Sequence, residues 1–65
     1  MKSNELKAEM AKQEIKAKTM MKVCGISSCA WFRKMNGKSE FKQTEIKKIK
    51  EYLNLSDSRI REIFF

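Results

Sequence analysis

The chain has 65 residues, a length that makes one small domain (1–65) burying only about 60% of the surface it exposes when unfolded, so one compact core is expected. No Pro, only two Gly and many Lys, Glu, Met, Ile and Leu favour helix over sheet, and the expected class is all-α, a bundle of about five short helices. The net charge of +7 points to an anionic partner, and with no His, no phosphate-cradling Gly loop and no acid pair in an evident pocket, an enzyme is not expected.

The charge is unevenly spread. Residues 1–38 carry nine basic against three acidic side chains, whereas residues 39–65 carry six against five. No apolar run approaches the roughly 18 residues of a membrane span, and the N-terminus lacks the apolar core of a signal peptide. A cytoplasmic protein without a membrane partner is therefore expected. Cys24 and Cys29 are then reduced thiols, and as zinc needs two further ligands while the chain offers no His and no other Cys, no metal and no cofactor is expected.

In chain order, helical spacing runs over 4–14, with Leu6 and Met10 on one stripe, Gln13 and Glu14 one turn on, and Ile15 just beyond. A second helix is expected over 17–24, with Met20, Val23 and Cys24 on one side and Gly25 ending it. Ile26 in the turn plugs the core, and Ser27 is an N-cap candidate for a third helix, Ser28 to Met35. In that helix Trp31 and Met35 lie four apart and point inward, leaving Ser28, Cys29, Phe32 and Arg33 elsewhere. Asn36-Gly37 stops it. The second and third helices with their tight turn outline a helix-turn-helix, the arrangement that presents its second helix to the DNA major groove.

Phe41 precedes a fourth helix, Lys42 to Leu53, in which Ile46, Ile49 and Leu53 repeat at three and four residues, and it is expected to pack back as a hydrophobic staple. Lys47, Lys48 and Lys50 read as a solvated face offset by Glu45 and Glu51. Asn54 closes that helix, Leu55 falls into the core, and Ser56-Asp57 caps a fifth helix with Ile60, Ile63 and Phe64 on its apolar face. Phe65 is left at the end, less buried.

The order Gly25-Ile26-Ser27, an apolar Trp31, Arg33 and Asn36-Gly37 is similar to the helix-turn-helix of small repressors of bacteriophages and mobile elements, the Cro and repressor N-terminal, lambda-repressor-like or XRE type. The resemblance continues through Lys38-Ser39-Glu40-Phe41 and the Ile-rich fourth helix. Two positions depart from it. Met21 stands where the family has a small Ala, so its side chain must bend aside or widen the helix crossing, and Ala17 stands where members often carry a Gln that touches phosphate and base.

Residue chemistry agrees with the resemblance. A helix-turn-helix reads with the N-terminal half of its second helix, which assigns Ser28, Cys29, Phe32 and Arg33 to base edges. Lys18, Thr19, Lys34, Asn36 and Lys38 flank that surface and suit phosphates. The resemblance implies a transcriptional regulator of a bacterial host cell, nucleoid-associated, repressing by occupying an operator. Its partner is expected to be palindromic double-stranded DNA, bound as a homodimer, with no small-molecule ligand. The alternative is a protein-interaction module on the same fold, an antirepressor or inhibitor whose basic face docks on an acidic protein.

Overall fold

The computed structural model describes residues 1–65, and its regular structure is helical throughout: α1 (Ser3–Lys12), α2 (Ala17–Cys24), α3 (Ser28–Met35), α4 (Gln43–Leu53) and α5 (Asp57–Phe64). The all-α expectation holds, with five helices. None is long and apolar enough to cross a membrane.

Four of the helices stop in the same way. Glu14, Gly25, Gly37 and Asn54 each take a left-handed φ, between 55° and 77°. At each, that residue's N–H and the next one's bond back to carbonyls three and five residues earlier: Gly25 to Lys22 at 3.2 Å and Ile26 to Met21 at 3.1 Å, for example. These are Schellman closures, which satisfy carbonyls that a helix end leaves orphaned. The residue that follows the left-handed one is Ile15, Ile26 or Leu55 in three cases, and each packs against the core, so the stop signals also aim an apolar side chain inward. Helix α1 therefore ends at Lys12, two residues short of the expected 14. Glu14 supplies the left-handed turn, and the Gln13 amide nitrogen donates to the Leu53 carbonyl at 2.7 Å, tying the end of α1 to the end of α4.

All five helices feed one core. Leu6, Met20, Trp31, Ile49, Leu53 and Ile63 are fully buried, and Met10, Cys24, Met35 and Phe41 complete the cluster. Burial of each such large side chain is worth about 1.5–3 kcal/mol. Met21 is half-buried against this cluster, its flexible thioether accommodating a position where the resembling family has a methyl group. Phe41 is buried just before α4 and meets Trp31 edge-on at 5.6 Å and Phe64 edge-on at 5.5 Å, so an aromatic row joins α3 to α5. On the far side, Arg59 of α5 donates through Nε to Glu9 at 2.9 Å and through Nη2 to Glu5 at 2.8 Å, clamping α5 to α1. Its third bond, from Nη1 to Glu62 at 2.9 Å, stays within α5.

Candidate nucleic-acid interface

The turn between α2 and α3 has three residues, and each does a separate job. Gly25 takes φ 69° and ψ 35°, a conformation in which a Cβ costs energy, while Ile26 packs inward. Ser27 is extended, and its hydroxyl accepts from the Ala30 N–H at 3.2 Å, capping α3 as expected. The Ser28 and Cys29 N–H groups have no partner within the chain, and they open the helix on the side where an anion is favoured.

Trp31 fixes the phase of α3. It is buried together with Lys34 and Met35, three and four residues on, so the remaining side chains of the helix turn outward. Ser28, Cys29, Phe32 and Arg33 are all exposed. Phe32 stands out because it leaves 55% of its surface in water although it is a large aromatic directly after the buried Trp31. Lys18, Asn36 and Lys38 are exposed around this face and Thr19 is half-buried. The segment 17–38 contains no acidic residue, and Lys18, Lys22, Arg33 and Lys38 make no ion pair, so four cations are free to meet phosphate.

Lys34 departs from the expected set. Its side chain is only 10% exposed, and its ammonium lies 2.5 Å from Glu45 Oε1 on α4 and 5.6 Å from the Phe41 ring centroid. A lysine held this way is withdrawn from phosphate. Its place three residues after the buried Trp31 was a signal available in the sequence, but the residue type argued the other way. The same carboxylate accepts from the Lys42 N–H at 2.8 Å and so caps α4 from its third position. The reciprocal half of a capping box is absent, because a lysine ammonium has no lone pair with which to accept. Burial pushes the Glu45 carboxyl up, but the hydrogen bonds from Lys34 and from the Lys42 backbone, with the nearby positive charges, outweigh it and hold it below its ordinary value.

This pair also alters the reading of the lysines on α4. Glu45 is turned away from them, Lys50 is bridged to Asp57, and Lys47 and Lys48 are exposed without an ionic partner. Of the two thiols, Cys29 is exposed and Cys24 is buried, and burial, reinforced by Glu45, pushes the Cys24 thiol up.

Two helices joined by a three-residue turn, with a carboxylate-free and partly cationic face on the second, define a helix-turn-helix domain of the DNA-binding class. The BetR domain model matches residues 4–62, and the chain belongs to that family, whose members are helix-turn-helix-like and DNA-binding. No curated protein and no solved structure matches it.

Proposed function

We propose that this DNA-binding regulatory domain is a sequence-specific repressor of the phage Cro type, acting by occupancy of a palindromic operator as a two-fold dimer rather than by catalysis. The observation that carries the reading is the outer face of α3, where Ser28, Cys29, Phe32 and Arg33 are exposed together on the helix that the turn presents. The Arg33 guanidinium suits bidentate bonding to a guanine, the Ser28 hydroxyl donates or accepts, and the Phe32 ring suits a thymine methyl. Lys18, Thr19, Asn36 and Lys38 are left for the phosphates on either side, which set register without reading sequence. Such a protein works in the cytoplasm of a bacterial host, at the nucleoid.

Selection of bound sequences from random duplex DNA tests this directly. The expected product is a palindromic consensus whose half-sites lie about one helical turn apart, with an affinity that falls steeply as salt rises. Recovery of no consensus, or binding indifferent to salt, would refute operator recognition.

A further inference from the structure

We infer that the buried Lys34–Glu45 pair is a positioning element for DNA reading: it fixes the rotation of α3 about its own axis and so sets where Arg33 and Phe32 meet the bases. The inference rests on the DNA-reading role proposed for the outer face of α3. That helix has eight residues, too few to be stable alone, so its pose is decided by what its inner face touches. Trp31 sets the coarse phase, but its contact and that of Met35 are apolar and non-directional and the methionine is pliable, so a roll of several degrees is left open. Lys34 supplies the directional contact. Its ammonium meets Glu45 Oε1 at 2.5 Å, and Glu45 is itself held by the Lys42 N–H at 2.8 Å, so the tether runs from α3 to a fixed point on α4.

Stability alone does not account for the pair. Its side chains are 10% and 9% exposed, and an ion pair taken so far out of water recovers little more than its desolvation cost; apolar residues of the same volume generally do as well. Geometry does account for it. Lys34 and Arg33 are adjacent, turned about 100° apart so that one is buried and the other exposed, and a roll of about 10° on a helix about 10–12 Å wide moves the outer side chains by about 1 Å. Recognition constellations tolerate about 0.5 Å or 10–20°. The tether reaches further, because the Lys34 and Arg33 carbonyls accept from the Gly37 and Lys38 N–H groups at 3.2 and 2.9 Å, so the loop carrying Lys38 moves with the helix.

The test uses the full chain as wild type, Lys34→Met, Lys34→Arg and Glu45→Gln, titrated against the selected duplex, its single-base variants and a scrambled duplex, at a temperature where circular dichroism shows each protein folded. Glu45→Gln keeps an oxygen to accept from the Lys42 N–H, so it retains the α4 cap, but it exchanges the charged bond from Lys34 for a weaker neutral one and so loosens the tether; it serves if Lys34→Met does not fold. Lys34→Met and Glu45→Gln are expected to bind the scrambled duplex within about twofold of wild type and with the same salt slope, while discrimination between selected and scrambled duplexes falls about tenfold. Lys34→Arg, which can still pair with Glu45, is expected to restore discrimination. Wild-type discrimination in Lys34→Met or Glu45→Gln, even with a lowered melting temperature, would make the pair merely structural and overturn the inference. Uniform weakening on every duplex, with a salt slope shallower by about one, would make Lys34 a phosphate contact and overturn it equally. If the wild type itself prefers no duplex, the DNA-reading role falls first and the positioning role with it.

Discussion

Arg33 is exposed on α3 without a carboxylate partner, so its guanidinium is free for a base edge, whereas Lys38 lies beyond the helix where the backbone of the duplex passes in a helix-turn-helix docking. Arg33→Ala is expected to cost about 1–3 kcal/mol on the selected site and to relax specificity at one base pair. Lys38→Ala should weaken all sequences alike and make the salt slope shallower by about one. Titrations on single-base variants at several salt concentrations separate the two behaviours. Cys29 offers a probe of the same face, since its thiol is exposed while that of Cys24 is buried with its pKa raised. A maleimide should modify Cys29 first, and the selected duplex should slow that reaction; equal labelling rates with and without the duplex would move the docking surface off α3. These outward residues were legible from the sequence because one large apolar residue, Trp31, sets the phase of a two-turn helix and 3.6 residues per turn gives the rest. Lys34 was not. Its spacing from Trp31 puts it on the inner face, but lysine is a surface residue by type, and the carboxylate that pairs with it lies 11 residues away, which local spacing does not announce.

The helix boundaries were legible wherever a residue's own chemistry makes the cap. Ser27 and Ser56 cap α3 and α5 through their hydroxyls, and Gly25, Gly37 and Asn54 are the residue types that tolerate a left-handed φ. Glu14 is not such a type, which is why the helical spacing runs two residues past the end of α1. Its φ of 56° stores strain, and Glu14→Gly is expected to stabilise the fold by about 0.5–1 kcal/mol, read from the urea midpoint. Gly25→Ala is the opposite case: nothing lies within 4 Å of the added Cβ, so the expected loss of about 1–2 kcal/mol comes from backbone conformation alone. The contact between α3 and α4 adds a pH dependence. Glu45 titrates below its ordinary value of 4.5 in the folded chain, so the stability it confers is present above that value and is lost as pH falls through the lower, folded one. Asp57, held down by its hydrogen bond from Lys50, acts in the same direction below 3.8. Denaturation midpoints are expected to fall on acidification below about pH 4.5, and Glu45→Gln should flatten part of that fall.

For the whole molecule, the hydrophobic pattern located the core well, because in a chain this short each helix has only one face to bury and the apolar residues mark it. The long-range polar clamps were not legible: Arg59 meets Glu5 and Glu9 across 54 and 50 residues, and only the packing of α5 on α1 brings them together. Phe64 and Phe65 bear on the proposed dimer. Phe64 turns inward and packs edge-on against Phe41, and its neighbour, rotated by about 100° on the helix, cannot follow. Phe65 accordingly leaves 84% of its surface in water, lining a groove with Gln43, Ile46, Lys47 and Lys50. A single recognition helix reads only a few base pairs, too few to single out one promoter, so a regulator of this architecture pairs two half-sites through a self-complementary contact. An aromatic ring repeated by a two-fold axis supplies one. Two chains are therefore expected on each selected palindrome, joined near Phe65, and Phe65→Ser should weaken the second binding event while leaving the thermal midpoint nearly unchanged, since an exposed ring contributes little to its own core. Sedimentation with and without the duplex, for the intact chain and for Phe65→Ser, measures this. One chain per palindrome would sink dimeric binding, and an undiminished two-chain complex of Phe65→Ser would move the contact to another face.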